Sequence, residues 1–377
     1  MRIVADENIT GVREFFSPYG EVHTLAGRSI TTDSVSDCDA LLVRSVTQVT
    51  PQLFKDSRCR FVATATSGID HIDAAGLAQA GIALGWARGC NAVSVVDYVF
   101  SVLAAQSSTS GEDWRDWSIG IVGCGEIGSR LANRLLQLGM PVKVYDPLLP
   151  ATHTLAGRFA PLEEVLRQRV ITLHVPLTRE GPNPTWHLLG SEELDRIPAG
   201  TLLINAARGA AVNNDALLQW LKQRPHQRVA LDTWEAEPAV SLELLQRVVL
   251  GTPHIAGYSY EGKLAGTSII LQQFCQHFGF AVPNEPPSAT RVLPVPSVEG
   301  DLAQFNALIL TAYDVRNDHV AMQTLLKSCE PAIDFDALRK HYPLRHEFNY
   351  YSIDSAQFSA KLCAAAAAVG FRIGAQS

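Results

Sequence analysis

The chain has 377 residues, of which 47% are hydrophobic and 18% charged, and its formal net charge at pH 7 is −7. This length exceeds what one hydrophobic core usually organises, so we expect two or three domains. The composition is that of a folded globular protein, and the negative charge argues against a nucleic-acid partner held through its phosphates. An early charged strand pattern and the lack of an apolar run of membrane-spanning length predict a cytoplasmic protein with no membrane partner.

The seven cysteines are scattered along the chain, odd in number and without a C-x-x-C pair. This pattern is typical of reduced thiols in a cytosol, and it offers no zinc site. The segment Gly68-Ile69-Asp70-His71-Ile72-Asp73 superficially resembles a metal cluster. Capping and turn roles explain Asp70 and Asp73 more simply, so we predict no bound metal.

Short apolar runs alternate with helix-like segments over the first 85 residues, which indicates a parallel α/β sheet with helical crossovers. A mostly apolar helix is predicted at Asn91–Gln106, and the polar residues Ser107–Gly111 are expected to form a linker after it. The predicted strands of this sheet are Arg2–Ala5, Val22–Leu25, Ala40–Val43, Phe61–Thr64 and Ile82–Leu84.

A glycine-rich turn follows the next apolar strand. Gly123, Gly125 and Gly128 stand in the order G-x-G-x-x-G, with Glu126 and Ile127 between the last two. In a strand-turn-helix setting the first glycine permits a tight turn, the second lets the backbone approach a pyrophosphate, and the third lets the helix pack closely on the strand. The alternative is a tight turn without a ligand, but the flanking elements favour a dinucleotide site.

An acidic residue ends the following strand. Asp146 comes directly after Val142–Tyr145, where a carboxylate can accept hydrogen bonds from the adenosine ribose and would repel a 2′-phosphate. The predicted cofactor is therefore NAD rather than NADP. Glu126 would bring a second acid near the phosphates, so its side chain is expected to turn outward.

The rest of the chain predicts a second sheet and a smaller module. Apolar runs at Val170–His174, Thr201–Asn205, Val229–Asp232 and Val248–Leu250 continue the nucleotide-binding unit, and a helix at Gly262–Gly279 is expected to return to the first domain. Prolines between Pro283 and Pro296 mark a boundary. After it, the predicted elements are helices at Asp301–Thr311 and Ser355–Val369 and a strand at Phe348–Ile353.

The predicted fold class is α/β, with two doubly wound parallel-sheet (Rossmann-like) domains and a small C-terminal α/β module. We expect three domains. Residues 1–106 with 256–280 form a discontinuous substrate-binding domain, residues 107–255 form the NAD-binding domain, and residues 281–377 form the C-terminal domain.

Three motifs follow predicted strands of the second sheet, at the edge where open α/β sheets bind ligands. They are Ile204–Gly209 (INAARG), Asp232–Pro238 (DTWEAEP) and Pro253–Gly257 (PHIAG). Hydride transfer from a hydroxyl-bearing carbon needs a base that removes the hydroxyl proton, and a histidine suits that role near neutral pH. We predict that His254 is this base.

The same motifs supply partners for that histidine and for the substrate. Glu237 is expected to bond the other ring nitrogen of His254 and to stabilise the imidazolium. The planar fork of Arg208 would clamp the 2-hydroxy and carboxylate oxygens, and Asp232 would accept a hydrogen bond from the nicotinamide carboxamide. The alternatives are a structural histidine and an ion pair of Arg208 with Glu237 that has no catalytic role.

Over about residues 1 to 280, these motifs resemble the D-2-hydroxyacid dehydrogenase family, which shares the glycine turn, the N-x-x-R-G and D-x-x-x-x-E-P elements and the late histidine. Common members of that family lack a C-terminal module such as this one. Further residues that carry the resemblance are Val43–Thr47, Ala63–Gly68, Gly89–Ala92, His254–Lys263 and Tyr313–Arg316.

The resemblance implies NAD-dependent oxidation of a small phosphorylated 2-hydroxy acid by a homodimer held through the C-terminal domain. It assigns Arg208, Glu237 and His254 the catalytic roles argued above. Val175 has no side-chain hydroxyl, so a cofactor contact there would be apolar or made by the backbone. The implied cofactor contacts are Gly123, Gly125, Glu126, Ile127, Gly128, Asp146, Val175, Ala206, Ala207, Arg208, Asp232 and Gly257. The implied substrate contacts are Ser45, Thr66, Ser67, Gly68 and Tyr258.

A substrate with a carboxylate and a phosphate needs two anion sites, and Arg208 serves only one. Arg44, beside Ser45, is a reasonable partner for the other anion, although a surface arginine at a strand end is an equal alternative. Two other functions stay open. One is another D-2-hydroxyacid dehydrogenase, such as one acting on 3-phosphoglycerate, and the other is a non-catalytic scaffold that senses NAD.

Overall fold

The computed structural model describes residues 1–283, 290–294 and 298–374. The chain divides into two compact units, one of residues 1–92 with 258–288 and one of residues 93–257 with 289–377. The boundary predicted between Pro283 and Pro296 lies largely outside the described residues. The assignment of a substrate-binding, an NAD-binding and a dimerisation domain, with its limits, stays a prediction.

The first 110 residues contain one parallel sheet and four α-helices. The strands run in the order β2-β1-β3-β4-β5, so the five strands predicted here are confirmed, two with identical ends and three with ends shifted by one or two residues. The elements are β1 (Arg2–Asp6), α1 (Val12–Phe16), β2 (Glu21–Leu25), α2 (Thr32–Val35), β3 (Ala40–Val43), β4 (Phe61–Thr64), α3 (Ala74–Gln79), β5 (Ala83–Trp86) and α4 (Ala92–Ser110).

The second parallel sheet has the strand order β11-β10-β9-β8-β6-β7. Its chain path runs outward in one direction from β6 to β7 and in the other from β8 onward, which makes the gap between β6 and β8 the switch point where such sheets bind ligands. Its elements are β6 (Ile119–Val122), α5 (Glu126–Gln137), β7 (Val142–Tyr145), α6 (Leu162–Val165), β8 (Val170–Leu173), α7 (Ser191–Asp195), β9 (Leu202–Asn205), α8 (Asn214–Gln223), β10 (Arg228–Leu231), α9 (Leu242–Leu245) and β11 (Leu250–Gly251).

The C-terminal part of the chain contains more helices than the sequence predicted. The long helix α10 (Tyr260–Phe278) ends at Gly279, which has φ 75, and belongs to the first unit. The helix predicted from Ser355 starts five residues later, and two helices after residue 314 were missed. The remaining elements are β12 (Arg291–Val292), α11 (Asp301–Ala312), α12 (Val315–Gln323), α13 (Pro331–Lys340), β13 (Tyr351–Asp354), α14 (Ala360–Val369) and β14 (Arg372–Gly374).

The predicted fold class is confirmed, since the chain has two doubly wound parallel sheets and, in addition, a small parallel C-terminal sheet, β12-β13-β14. The C-terminal helices share a core with the second sheet. Buried side chains of Met322, Leu325 and Phe335 pack in one apolar cluster with Leu245 and Val248. Burial of this kind is the main favourable contribution to folding, so the C-terminal helices and the second sheet stabilise each other.

The linker predicted at Ser107–Gly111 is wrong, because helix α4 continues through Ser110. The Ser108 hydroxyl donates to the Ala104 carbonyl at 2.8 Å and the Thr109 hydroxyl to the Ala105 carbonyl at 3.1 Å. Hydroxyl groups that bond back four residues are compatible with a helix. The chain turns only at Gly111, which has φ 75.

Candidate active site

The glycine turn after β6 has the geometry that each of its glycines was predicted to provide. Gly123 has φ 92, and a Cβ there would lie 2.7 Å from the His174 carbonyl oxygen. A Cβ on Gly128 would clash with the Gly123 carbonyl oxygen, so the helix packs directly on the strand. No described atom lies within 4 Å of a Cβ built on Gly125. A ligand can therefore approach the backbone at this one position of the turn.

Helix α5 starts immediately after this turn. Gly125 is its N-cap and supplies no side-chain cap, so the first N–H groups of the helix are available to an anion such as a pyrophosphate. The Glu126 carboxylate, which is 41% exposed, lies 3.5 Å from Arg130 one turn further along the helix. The expected outward orientation of Glu126 is therefore present.

Asp146, at the end of β7, supports the glycine turn from the side. Its Oδ2 atom accepts a hydrogen bond from the Cys124 N–H at 2.8 Å, and its Oδ1 atom accepts one from the Leu148 N–H at 3.1 Å. A carboxylate has about four acceptor positions, so Asp146 keeps capacity for ribose hydroxyls. The open backbone at Gly125, the helix N-terminus and this acid fit NAD.

Asp232 follows β10 and is 1% exposed. Its Oδ1 atom accepts from the Thr252 hydroxyl at 2.7 Å and from the Ile255 N–H at 2.8 Å, and its Oδ2 atom accepts from the Ala256 N–H at 2.9 Å. Its backbone carbonyl accepts the His254 N–H at 2.8 Å. Asp232 therefore fixes the loop that carries His254. The sequence predicted only a cofactor contact for Asp232 and not this structural role.

His254 and Glu237 form the predicted pair. The Nδ1 atom of His254 is hydrogen-bonded to the Glu237 Oε1 atom, and the two side chains are 30% and 24% exposed. The Oε2 atom of Glu237 accepts the Trp234 N–H at 3.2 Å. His254 has φ 57, and Ala236, just before Glu237, has φ 61. Such left-handed conformations are uncommon for residues with a side chain and concentrate at functional sites.

The electrostatics of this pair favour an ionised carboxylate. Burial acts to raise the pKa of Glu237, but the charge and hydrogen bond of His254, the charge of Arg339 and the Trp234 N–H together hold that pKa below its ordinary value. An ionised Glu237 keeps a proton on Nδ1 of His254, which leaves Nε2 as the ring atom for proton exchange with a ligand.

Arg208 follows β9 in the same unit and is half-buried. Its backbone carbonyl accepts from the Asn205 side-chain amide at 3.0 Å, and its Nη1 atom donates to the Ala207 carbonyl at 2.9 Å. A Cβ on Gly209 would clash with the backbone of Trp234 and Glu235. The loops that carry Arg208 and Glu237 are therefore in direct contact, as their placement at one sheet edge predicted.

The remaining nucleotide-side residues also lie at this sheet edge. Val175 follows β8 at the switch point, where its Cγ1 atom would be 2.8 Å from a Cβ on Gly123. Ala206 and Ala207 are buried after β9, and Gly257 ends the loop of His254. Their contact with a cofactor stays a prediction.

The predicted substrate residues lie at strand ends of the first unit and before α10. Arg44 and Ser45 follow β3. Thr66 bonds within its own loop, donating to the Gly68 carbonyl at 2.9 Å, and the Ser67 hydroxyl accepts the Gly89 N–H at 3.1 Å. These hydrogen bonds shape the loop after β4, and substrate contact by these residues stays a prediction.

Two basic side chains missed by sequence reasoning stand beside the predicted sites. Lys263, in the first turns of α10, places its Nζ atom 5.0 Å from the centre of the Tyr258 ring. It belongs to a motif that carries the family resemblance, so that motif was an available signal. Arg339 lies near Glu237 but is more than 100 residues away in the chain, and no local pattern indicates it.

Comparisons with known proteins agree with the fold and with an NAD-binding unit. A family model described as "D-isomer specific 2-hydroxyacid dehydrogenase, NAD binding domain" matches residues 91–256, and a model described only as a domain of unknown function matches residues 295–369. An NAD⁺-bound 3-phosphoglycerate dehydrogenase from Entamoeba histolytica is similar in fold, with a TM-score of 0.61 and 24% identity over 74% of this chain and 95% of that chain. The family model assigns residues 91–256 to the NAD-binding domain of D-isomer-specific 2-hydroxyacid dehydrogenases, and the strand order and the bonded pair of His254 and Glu237 are compatible with that class.

Two relatives specify the family further. The erythronate-4-phosphate dehydrogenase of Cellvibrio japonicus is 44% identical over 94% of each chain. The erythronate-4-phosphate dehydrogenase of Marinobacter nauticus is 42% identical over 99% of this chain and 100% of its own. The chain therefore belongs to the family of erythronate-4-phosphate dehydrogenases.

No helix in the described residues is long and apolar enough to cross a membrane.

Proposed function

We propose that this protein oxidises 4-phospho-D-erythronate to (R)-3-hydroxy-2-oxo-4-phosphooxybutanoate with NAD⁺, a step on the route to pyridoxal 5′-phosphate. The observation that carries the proposal is the hydrogen-bonded pair of His254 and Glu237 in the unit that also holds the glycine turn. The names of the full-length relatives support the substrate.

The residues of this chain divide the work of the reaction among them. Nε2 of His254 takes the proton of the 2-hydroxyl group, while Glu237 holds the ring and stabilises the positive charge that forms. Arg208 binds the substrate carboxylate and orients C2. When bound, NAD⁺ supplies the acceptor for the hydride that leaves C2. Gly125, the N-terminus of α5 and Asp146 would hold its pyrophosphate and ribose.

Arg44 and Lys263 are proposed to bind the substrate phosphate. Partial burial, and next the charge of Arg44, lower the pKa of Lys263, so the two cations of the first unit are close enough to repel each other. A dianionic phosphate bound by both would relieve that repulsion, because an opposite charge within a few ångströms stabilises the charged form. The 5.0 Å contact of the ammonium with the Tyr258 ring supports a fixed position for Lys263.

The assembly and the compartment are part of the proposal. A homodimer formed through residues 281–377 is supported by Val320, Ile333 and Leu344, large apolar side chains of this region that are 68%, 61% and 72% exposed. If these side chains form one contiguous patch, that patch would be typical of a surface that a partner covers. A cytoplasmic location is supported by the seven cysteines, which are all free thiols.

Substrate comparison tests the proposed reaction. NADH formation by the full chain is measured with 4-phospho-D-erythronate, D-erythronate and 3-phosphoglycerate, and each is repeated with NADP⁺. The proposal expects the highest kcat/KM with 4-phospho-D-erythronate and NAD⁺. Preference for 3-phosphoglycerate would identify a different dehydrogenase. Tight NAD binding without turnover of any 2-hydroxy acid would identify the scaffold.

A further inference from the structure

An arginine of the C-terminal part of the chain is buried against the loop of the catalytic histidine. Arg345, between α13 and β13, is 7% exposed. Its Nη1 atom donates to the Ile255 carbonyl at 3.2 Å, and its Nη2 atom donates to the Ala256 carbonyl at 3.0 Å and to the Ser94 carbonyl at 2.6 Å. Ile255 and Ala256 directly follow His254, so this guanidinium bonds the backbone next to the proposed base.

The same two residues are held from their other side by Asp232. The N–H groups of Ile255 and Ala256 donate to the Asp232 carboxylate at 2.8 and 2.9 Å, while their carbonyl groups accept from Arg345. A buried anion therefore binds the donors and a buried cation binds the acceptors of the same two residues. Charge-assisted hydrogen bonds are about twice as strong as neutral ones, so this arrangement restricts the loop more than ordinary backbone contacts do.

The position of Arg345 is itself fixed by C-terminal aromatic and acidic side chains. Its guanidinium carbon lies 3.8 Å from the centre of the Tyr313 ring, a distance typical of a cation–π contact. The Tyr313 and Tyr342 hydroxyl groups both donate to Asp318, at 2.7 and 3.0 Å. The cation is thus held by a preformed frame rather than by a single contact.

A second C-terminal contact lies just before the loop. The Nδ1 atom of His319 accepts the Gly251 N–H at 3.0 Å, at the end of β11 from which the His254 loop starts. Together with Arg345, this contact places α12 and the segment after α13 along the loop from Gly251 to Ala256.

We propose that Arg345 is a positioning residue for His254, and that the C-terminal region thereby completes the active site rather than serving assembly alone. The region that matches a domain model of unknown function would then act in the reaction through Arg345. This inference rests on the proposed dehydrogenase reaction for its kinetic consequence, but the restriction of the loop is a property of the protein without substrate.

Kinetics of R345K and Y342F test the proposal. Lysine keeps the charge but cannot donate to three carbonyl groups from one planar fork, and Y342F loosens the frame of Arg345 without removing the cation. The exposed Arg316, which pairs with Asp314 at 2.6 Å, provides R316K as a matched control. We expect kcat to fall about 10- to 100-fold in R345K, since small misplacements of catalytic groups have effects of this size. The fall should be smaller in Y342F and absent in R316K, with KM and NAD affinity within about twofold in all three.

Two readouts separate positioning from general stability. The pH profile of kcat is expected to shift in R345K and Y342F, because the distance between His254 and Glu237 depends on the loop. Hydrogen exchange of the 254–257 amides, measured without substrate, is expected to accelerate in both variants and not in R316K. A lower thermal midpoint with unchanged kcat, pH profile and 254–257 exchange would overturn the proposal, and if R345K does not fold, the same result in Y342F would do so.

The exchange measurement also distinguishes this inference from the proposed function. Faster 254–257 exchange in the variants of a protein that does not turn over 4-phospho-D-erythronate would leave the loop restriction standing and reject the reaction. Normal turnover by the wild type, with no effect of either variant on kcat or exchange, would leave the reaction standing and reject the role of Arg345.

Discussion

Glu237 and His254, 17 residues apart in the chain, are joined by a hydrogen bond between the carboxylate and the Nδ1 atom of the ring. The bond fixes the tautomer, because an ionised carboxylate accepts a proton from Nδ1 and leaves Nε2 for the substrate. Two residues with positive φ, Ala236 and His254 itself, bring the side chains to this geometry. The pair is therefore specified by backbone conformation as well as by residue type.

Replacement of His254 by alanine should abolish turnover while leaving NAD binding intact. The imidazole acts on the substrate proton and not on the dinucleotide, so kcat is expected to fall about 10²- to 10⁴-fold. NAD affinity, measured by quenching of tryptophan fluorescence, should stay within about twofold. The partly exposed His23 provides H23A as a control with unchanged kcat, and an H254A protein with wild-type turnover would exclude His254 as the base.

Replacement of Asp146 by asparagine should weaken the binding of NAD and reduce the ratio of kcat/KM with NAD to kcat/KM with NADP. Asparagine retains an oxygen for the Cys124 N–H, so the glycine turn keeps its support, while the charge that repels a 2′-phosphate is lost. We expect KM for NAD to rise about 10-fold, the effect of one hydrogen bond to a charged group. The ratio of kcat/KM for the two cofactors is the measurement, with the exposed Asp215 changed to asparagine as the control. An unchanged ratio would contradict the role of Asp146 in cofactor choice.

Neutralising Arg44 or Lys263 should affect only phosphorylated substrates. R44Q and K263Q each remove one charge from the proposed phosphate site, so KM for 4-phospho-D-erythronate is expected to rise about 10- to 100-fold. The kcat/KM for D-erythronate, which has no phosphate, should stay nearly constant. K55Q, at an exposed lysine of the same unit, is the control. Equal losses on both substrates would show that these cations do not bind the phosphate.

The buried Asp97 is expected to make stability depend on pH. Burial raises the pKa of Asp97 from 3.8 to about 6, against the opposing charges of Arg134 and Arg345 and the Phe348 N–H. Because the folded-state pKa lies above the unfolded value, the free energy of unfolding is highest below about pH 4, where the carboxyl group is protonated in both states. This stabilisation is lost as the pH rises from about 4 to about 6. Over this range it amounts to about 3 kcal/mol.

The thermal midpoints of wild type and D97N, compared between pH 4.5 and 7, test this dependence. The other titrating groups are common to both proteins, so the difference isolates Asp97. The wild type should gain stability relative to D97N as the pH falls. D33N, at an exposed helix position, should track the wild type at every pH, and a wild-type minus D97N difference independent of pH would refute the assignment.

Local patterns predicted the parts of the fold and site that depend on few residues. The glycine turn was predictable because Gly123 and Gly128 occupy positions that admit no Cβ, and His254 and Glu237 because polar residues after parallel strands meet at one sheet edge. The end of α4 was not predictable in this way. The hydroxyl groups of Ser108 and Thr109 donate to carbonyl groups four residues earlier in the helix, so these polar residues do not end it.

Long-range contacts were beyond the reach of these patterns. Arg345 bonds carbonyl groups 89, 90 and 251 residues away in the chain, and nothing in the sequence around it indicates those partners. Asp232 was predicted as a cofactor contact from its place after β10. Its burial and the three hydrogen bonds that its carboxylate accepts from residues 252–256 depend on the pairing of β10 with β11, which no local pattern indicates.

The shared core of Met322, Leu325 and Phe335 with Leu245 and Val248 limits how this enzyme can be shortened. A protein truncated after residue 280 would have about the length of dehydrogenases that lack the C-terminal module. In the truncated protein, the apolar side chains of the second sheet's unit that pack against the C-terminal helices, such as Leu245 and Val248, would be exposed to water. Such a protein would be prone to aggregate. A shortened form of this enzyme would therefore require polar substitutions on the face that the C-terminal helices cover, and truncation alone would not suffice.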